Sequence, residues 1–400
     1  MDVTETIRRF TGFFTERGHQ LLPGSTLIPP DGDPVLFTTS GMHPLTPYLL
    51  GRPHPGGRRL TGLQRCLRTT DLDEVGDDSH LTVFGMLGSW SLGDYEGPQS
   101  LRWGLDLLTG GFGLDPGLLH ATVFGGDEQT GPDVSSERTW TELGLPVERT
   151  YGDDNWWSNG PVGPCGPDSE IFIWTGEGPP SGRPTTDERW MELWNHVTMR
   201  YYRGDDGRLE PLRQVSVDTG MGLERLLMVL QRVSCVYDCD LFWPWRSLLP
   251  EAWQRNEREF RILSDHLRSS VLVIGDGVRP SNTGRGYVLR RLIRRVLTIL
   301  WRDDPSLSVS LGGLPGELIE HSLRLFGPDP GERDLVRPDL VSTVLADEER
   351  RFRGLLGRGR KVLSQFEPGR VLTERDLTYL HETHGLPPDL VTELLAGPSS

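Results

Sequence analysis

Ser216-Val217-Asp218-Thr219-Gly220-Met221-Gly222-Leu223-Glu224-Arg225-Leu226-Leu227 is the stretch that decides the fold. Its residues predict a short strand over residues 215–217, then a Gly-x-Gly turn, and then a helix that begins at Leu223. Gly220 and Gly222 carry no Cβ atom, so the backbone at this turn can lie close to a ligand. A turn of this kind predicts a binding site.

Two charged side chains flank these glycines. Asp218 lies at the end of the strand, where a carboxylate can hold an ammonium group, and Arg225 carries a planar guanidinium on the first helical turn. Together they suit a small amino acid and a nucleotide. The alternative is a strand that ends in a tight turn with a surface arginine.

Composition excludes several classes of protein. The chain has 400 residues and a formal net charge of −15, with 57 acidic and 42 basic residues. Binding to a nucleic-acid backbone needs clustered cations, so a general nucleic-acid coat is excluded, while a local basic patch is allowed. The length suits two or three domains.

The cysteines and the apolar runs indicate the compartment. Four unevenly spaced cysteines do not form a disulfide framework, and Cys235 and Cys239 have no second Cys/His pair nearby, so we expect no structural zinc. The first residues are not a signal peptide, and no run approaches the ~20 apolar residues of a membrane span. We therefore expect a soluble, cytoplasmic protein with no membrane partner.

The sequence pattern changes near residue 245. Before it, strand patterns alternate with helical ones; the predicted strands are 36–38, 64–68, 81–87, 119–125, 170–174 and 190–202. After it, helical patterns dominate at 261–276, 287–303, 316–326 and 339–367. We predict an α+β domain over residues 1–245 and a mainly helical domain over residues 246–400.

Residues 154–170 hold three Gly-Pro pairs and two adjacent tryptophans. This composition predicts a stiff loop over residues 152–169, which with its indoles can build the wall of a small pocket. The alternative is a rigid surface loop whose tryptophans belong to the core.

Residues 192–197 alternate as a strand. Alternation puts Glu192, Trp194 and His196 on one face, and Leu193, Asn195 and Val197 on the other. Glu192 is either a ligand for a Mg²⁺ carried by nucleotide phosphates or an exposed carboxylate. His196 is predicted to be packed or hydrogen-bonded and not a catalytic base.

Arginines form two further candidate phosphate sites. Arg68 follows a predicted strand and suits bidentate binding of a phosphate, although an exposed strand edge fits as well. Five arginines lie within residues 281–295: Arg285, Arg290, Arg291, Arg294 and Arg295. They suit a phosphate-rich partner, or else pair with acidic residues of the first domain.

Seven stretches, in order and spacing, resemble the alanyl-tRNA synthetases, a family of class II aminoacyl-tRNA synthetases. Residues 217–225 resemble the family's third motif, and the other stretches are 36–42, 64–68, 84–95, 154–170, 192–201 and 264–295. The similarity implies a class II synthetase-type antiparallel β-sheet flanked by helices, followed by a helical region that resembles the tRNA-recognition domain.

The resemblance implies that the chain activates alanine with ATP and Mg²⁺. The implied ATP-binding residues are Arg68, Met86, Glu192, Gly220, Gly222 and Arg225. In this assignment Arg68 holds the α-phosphate, Arg225 lies against the adenine, and the backbone near Met86 reads the base. Glu192 is the candidate Mg²⁺ ligand.

The resemblance also implies sites for alanine and for tRNA. Asp218 holds the alanine ammonium, Trp157 and Val197 wall the methyl pocket, and Asn195 lies beside it. The implied acceptor-binding residues are Asn282, Arg285, Arg290, Arg291, Arg294, Arg295 and Glu382. Asn282 occupies a position that the family uses to read the acceptor stem, and Glu382 replaces its usual aspartate partner.

Several positions depart from the family pattern. The loop after Arg68 is short, and acidic residues replace its basic ones. Gly85 replaces a glutamate, and Asp168 replaces a cysteine. The family's editing domain does not follow within these residues, so we expect none.

Three functions compete. The first is transfer of alanine to the 3′ end of tRNA(Ala), and the second is a tRNA-independent paralogue that delivers alanine to a small-molecule acceptor in a specialised biosynthetic pathway. The third is a non-catalytic alanine- or RNA-binding protein. We expect a monomer or a homodimer.

Overall fold

The computed structural model describes residues 1–30, 33, 35–302, 304, 306–326, 338–365, 372–384 and 391. The chain divides into two compact units, Met1–Trp243 and Pro244–Ser400. Both helices and strands are present, so the fold class is α+β, as predicted. In the part of the chain that the structure describes, no helix is long and apolar enough to cross a membrane.

The first unit is built around a nine-stranded sheet with the order β1-β2-β3-β9-β8-β7-β4-β5, and β6 pairs with β7 beside this path. The strands are β1 Gln20–Leu21, β2 Arg59–Leu67, β3 Val83–Ser91, β4 Leu119–Phe124, β5 Val147–Thr150, β6 Trp156–Ser158, β7 Gly163–Trp174, β8 Trp190–Arg203 and β9 Leu209–Gly222. The pairs β1/β2 and β4/β5 are parallel, and the other pairs are antiparallel.

Helices cover one face of this sheet. They are α1 Val3–Thr15, α3 Gly97–Asp106, α4 Val134–Leu143 and α5 Leu223–Gln231. The short helix α2 Thr46–Leu49 lies on the other face, where Leu49 packs with Leu60, Trp90 and Val197. The Asp2 side chain caps α1 by accepting a hydrogen bond from the Glu5 N–H. The apolar stripe of α1 then brings Phe10 and Phe14 against Trp194 of β8, with ring centroids 5.6 and 6.3 Å apart.

The second unit is helical among its described residues. Its helices are α6 Trp243–Leu248, which begins at the last residue of the first unit, α7 Glu257–Gly275, α8 Gly284–Trp301, α9 Gly316–Phe326, α10 Pro338–Leu363 and α11 Glu374–His384. The four predicted helical patterns lie on α7, α8, α9 and α10, and each prediction is confirmed to within a few residues.

Two local predictions about the backbone of this unit were wrong. Residues 36–38 form no strand; Thr38 instead makes single backbone bonds with Leu27 and Leu67. Gly220 and Gly222 do not form a turn, because β9 continues through both and pairs with β3 as far as Met86. Glycine marks a close approach inside a strand as well as a turn.

Residues 152–169 are not a loop, because they contain β6 and the buried start of β7. A bulge lies between Cys165 and Asp168, where two residues of β7 face three residues of β8. A Cβ at Gly166 would lie 2.0 Å from the Thr198 carbonyl oxygen, so the bulge requires glycine there. The missing N–H of Pro167 is tolerated at such a break in the ladder.

Candidate functional site

Three rows of paired residues cross the face of the sheet opposite α1, α3, α4 and α5, which is called the uncovered face below although Met42 and Leu49 pack on part of it. Cross-strand partners point to the same face, so each row is read directly from the register. The first row is Leu60, Trp90, Asp218, Val197 and Asp168; the second is Gly62, Gly88, Gly220, Asn195, Glu170 and Thr122; the third is Gln64, Met86 and Gly222. The predicted alanine residues thus share a face with the predicted ATP residues.

The opposite face is closed by helices. His196 is 3% exposed, and its Nδ1 atom lies 2.8 Å from the Ser100 hydroxyl of α3. Burial lowers the pKa of His196 to about 3, so the ring is neutral. The prediction of a packed, hydrogen-bonded histidine is confirmed.

A β-bulge corrects the predicted face of Glu192. Asn195 pairs with Glu170 and Glu192 pairs with Phe172, two residues along β7, so Leu193 is the extra residue in β8. Strict alternation would have put Glu192 beside Trp194. The bulge moves Glu192 to the uncovered face instead.

Glu192 meets Arg225 on that face. The Arg225 Nη1 atom donates to Glu192 Oε2 at 2.9 Å and to the Glu192 carbonyl oxygen at 3.1 Å. Arg225 lies on the first turn of α5, as predicted. The pair is about one-third exposed on each side, so it orients the guanidinium more than it stabilises the fold.

An open cleft of about 590 Å³ lies over the third row. Its lining residues are Arg68, Ser79, His80, Leu81, Phe84, Met86, Glu192, Leu193, Gly220, Gly222, Glu224 and Arg225. All six predicted ATP-binding residues line this cleft. The Arg68 guanidinium lies 5.1 Å from the Phe84 ring centroid and faces a solvent-accessible space, as a phosphate ligand would require.

The other six lining residues were missed by sequence reasoning, and Glu224, His80 and Phe84 are the ones with polar or aromatic contacts in the cleft. Both carboxylate oxygens of the buried Glu224 accept the Gly85 N–H, at 3.2 and 3.0 Å. His80 contacts two carboxylates, with Nδ1 on Asp77 and Nε2 at 3.0 Å from Glu74. Phe84 could have been found from the alternation that starts at Met86; Glu224 gave no comparable signal.

Asp218 is the buried anion of the first row. It is 5% exposed, and Trp90 Nε1 donates to its Oδ1 atom at 2.6 Å. Burial raises the pKa of Asp218 to about 7, and the Trp90 bond opposes that rise. A cation beside this carboxylate would relieve the cost of burying the charge.

Apolar side chains enclose the space next to Asp218. Trp90, Val197 and Met42 belong to one buried cluster, and Trp157 packs against it. Trp157 and Val197, which were predicted to wall a small pocket, are therefore together.

Glycines in the second row leave room for these side chains. A Cβ at Gly88 would lie 2.3 Å from the Trp90 ring, and one at Gly220 would lie 2.7 Å from Met86 Sδ. The indole therefore lies across Gly88, which aims its N–H at Asp218.

A second cavity of about 880 Å³ adjoins the row at Asn195. It is lined by Thr122, Thr150, Asp153, Asp154, Asn155, Trp156, Trp157, Asp168, Glu170, Phe172, Pro184, Thr185 and Asn195. Burial raises the pKa of Asp168 and of Glu170. Asn155 donates from Nδ2 to Asp168 Oδ1 at 2.9 Å, so the residue at the family's cysteine position is held in place.

In the second unit, the arginine patch is partly neutralised from within. Glu348 of α10 lies 3.0 Å from Arg290 Nε and 2.8 Å from Arg294 Nη2. Asn282 is exposed and its Oδ1 atom accepts a hydrogen bond from Arg290 Nη1. For Arg290 and Arg294, the acidic partner belongs to the same unit as the arginines and not to the first domain.

The other members of the patch complete this surface. Arg291 is exposed, and Arg285 and Arg295 are half-buried. Glu382 lies in the last turn of α11, and its side chain is outside the described residues.

No three His, Cys, Asp or Glu side chains come together as a metal-binding group within the described residues. The four cysteines are buried and free. Burial raises the pKa of Cys66 and of Cys239, so neither thiol is a ready nucleophile or metal ligand.

The sequence pattern of the family described as tRNA synthetases class II (A) matches residues 5–398. The chain is 40% identical over 419 aligned residues to an alanine–tRNA ligase of Treponema pallidum, covering 96% of this chain and 67% of that protein. It is 38% identical to an alanine–tRNA ligase of Rubrobacter xylanophilus, and the alignment covers 99% of this chain and 47% of that protein. A third relative, an alanine–tRNA ligase of Treponema denticola, is 43% identical over 74% of this chain and 52% of its own length.

The chain therefore spans between about half and two thirds of the length of these relatives. The match covers both compact units.

Proposed function

The chain belongs to the tRNA synthetases of class II (A), and from this premise we propose that it activates alanine with ATP and transfers the alanyl group to the 3′ end of a tRNA. The observation that carries the proposal is the shared face of the sheet. Asp218 and its apolar neighbours lie one row from a glycine trough, and the trough leads to the cleft between Arg68 and Arg225.

The first row is proposed as the alanine site. The Asp218 carboxylate would accept the ammonium group, and Trp157 and Val197 would contact the methyl group. Asn195 Oδ1 is buried with no hydrogen-bond partner among the described residues, so it offers a second acceptor beside the site. Large side chains would clash with the indoles, which supports a small amino acid.

The cleft is proposed as the ATP site. Arg68 and Arg225 would contact the phosphates, and Gly220 and Gly222 would let the nucleotide approach the backbone. Glu192 uses one carboxylate oxygen for Arg225 and keeps the other, so it fits Mg²⁺, which takes one or two carboxylates and substrate phosphates. When bound, Mg²⁺ would neutralise charge on the phosphates.

The reaction follows from this arrangement. A carboxylate oxygen of alanine attacks the α-phosphorus of ATP, a new P–O bond forms, and the bond to the β-phosphate breaks and releases pyrophosphate. The carboxylate is already ionised, so no general base is needed, and rate comes from positioning and charge neutralisation. The acceptor hydroxyl then attacks the acyl carbon and releases AMP.

The acceptor is proposed to be tRNA(Ala), and the alternatives receive no support. The three relatives reported above are all named alanine–tRNA ligases, which gives no support to a small-molecule acceptor. The retained Asp218, Arg225 and Arg68 argue against a non-catalytic binding protein. A cytoplasmic location accompanies this proposal, since tRNA charging takes place there.

Two assays on one preparation test the proposal. Alanine-dependent exchange of pyrophosphate into ATP measures the first step, and transfer of labelled alanine to total tRNA measures the second. Exchange together with charging is the expected result. Exchange without charging would refute the tRNA acceptor, and the absence of exchange would refute the adenylation itself.

A further inference from the structure

The buried carboxylate of Glu348 is the centre of a charge network in the second unit. Its side chain is 0% exposed and pairs with two arginines one turn apart on α8. Arg290 and Arg294 at i and i+4 would repel each other without it. Arg294 also packs 5.0 Å above the Phe352 ring, so both guanidiniums are held on the α10 side.

This network decides which way Asn282 points. The Nε atom of Arg290 forms an ion pair with Glu348, and its Nη1 atom donates a hydrogen bond to Asn282 Oδ1. A guanidinium only donates, so the amide oxygen must face Arg290. The Nδ2 group of this exposed residue, with two N–H donors, then lies on the side of the amide that does not face Arg290, just before the start of α8.

Exposed asparagine side chains ordinarily exchange between rotamers, and binding must then fix them. Immobilising one rotamer-rich side chain weakens affinity by roughly 2- to 10-fold. A side chain that is already held avoids this loss. The buried, doubly paired Glu348 is therefore a support for an exposed hydrogen-bond donor and not merely a helix contact.

We propose that Glu348 and Arg290 are positioning residues that fix the Asn282 amide so that Nδ2 donates to an acceptor atom on the RNA. This inference rests on the proposed function, because it takes tRNA as the partner. It assigns Arg290 a different role from a phosphate contact. The donor would meet a base edge or a 2′-hydroxyl of an A-form stem.

The substitution Asn282→Asp removes the hydrogen-bond donor and leaves the fold unchanged. Aspartate keeps the shape and the contact with Arg290 but removes both N–H groups. We expect the charging efficiency, kcat/KM for tRNA, to fall at least tenfold, as for Asn282→Ala, with an unchanged melting temperature. Charging by Asn282→Asp at the wild-type level would overturn the inference.

The substitution Glu348→Gln tests whether Glu348 positions Asn282. We expect pyrophosphate exchange within twofold of wild type and a KM for tRNA raised roughly 2- to 10-fold by the lost positioning. Added to Asn282→Ala, the same change should have no further effect on charging. Independent, additive losses would show that Glu348 does not act through Asn282.

Salt dependence tests the role of Arg290. Loss of one phosphate contact lowers the slope of log K against log salt by about 0.7 to 0.9. We expect Arg290→Met to weaken tRNA binding at every salt concentration with the wild-type slope. A slope reduced by that amount would assign Arg290 to phosphate and overturn its positioning role.

These outcomes are distinct from failure of the proposed function. A wild-type chain that exchanges pyrophosphate but charges no tRNA refutes the acceptor. A wild-type chain that charges tRNA, with Asn282→Asp equally active, refutes only the present inference.

Discussion

Alanine binding should depend on the ionisation of Asp218. The ammonium group of alanine needs a carboxylate, yet burial raises the pKa of this carboxyl from 3.8 to about 7. Below neutral pH the free site therefore holds a proton that alanine must displace. The perturbation is simply a change of pH across the range from 5.5 to about 8.5, which brackets that pKa.

The magnitude follows from the shift. A rise of about three in the pKa means that ionising Asp218 in the empty site costs about 4 kcal/mol more free energy than in water, at about 1.36 kcal/mol for each unit of pKa. At one pH unit below the midpoint about one site in ten is ionised, so kcat/KM for alanine should fall about tenfold for each further unit. The folded chain also holds this proton longer than the unfolded chain, so its stability without alanine should decline as pH rises from about 4 to 7.

Pyrophosphate exchange at saturating ATP measures kcat/KM for alanine, which reports ionisation in the free enzyme. Trp90→Phe removes the 2.6 Å bond that lowers the pKa of Asp218, so its midpoint should move to higher pH. Trp140→Phe is the matched control: it removes a buried indole N–H that donates to Ser169 at 2.7 Å, and its midpoint should stay unchanged.

A profile that is flat between pH 6 and about 8 would refute this reasoning. So would a midpoint that persists in Asp218→Asn, because another group would then be titrating. An acid shift in Trp90→Phe would contradict the direction assigned to the indole bond.

Three other changes test neighbouring parts of the site. Gly88→Ala puts a Cβ 2.3 Å from an indole ring, so exchange should fall by an amount equivalent to about 1–3 kcal/mol, whereas Gly12→Ala meets no atom within 4 Å and should leave exchange unchanged and raise the melting temperature. Val197→Ala should enlarge the methyl pocket and improve 2-aminobutyrate relative to alanine by about 1–3 kcal/mol in kcat/KM; an unchanged ratio would remove Val197 from the pocket. Glu192→Gln should raise the Mg²⁺ concentration needed for half-maximal exchange, and an unaltered Mg²⁺ titration would exclude Glu192 as a metal ligand while leaving its contact with Arg225.

The sequence predicted which residues line the cleft better than it predicted the local course of the backbone. Arg68, Met86, Gly220 and Arg225 were assigned to ATP by the resemblance of their motifs to the synthetase family, and they line one cleft. Arg68 follows β2, Met86 and Gly220 lie inside β3 and β9, and Arg225 lies on the first turn of α5. Periodicity alone would not have brought these four positions together.

The irregular parts of the backbone could not be predicted from the periodicity of the sequence. A strand at residues 163–174 was hidden by its prolines, since a bulge around Gly166 makes room for residues that ordinary ladders exclude. Glu224 was missed for a different reason. Its partner is the Gly85 N–H, 139 residues away in the chain, and only the tertiary fold brings the two together.

The extra residue in β8 sets a constraint on chain length. A strand that ran past Leu193 without the bulge would alternate regularly and carry Glu192 to the helix-covered face, away from Arg225. Deletion of Leu193 would instead remove the bulge and leave Glu192 directly before Trp194, on the face of Asn195 that it already occupies. Among functional homologues, the segment between the positions of Glu192 and Asn195 should therefore hold either a bulge with its extra residue or a regular strand that is shorter by that residue.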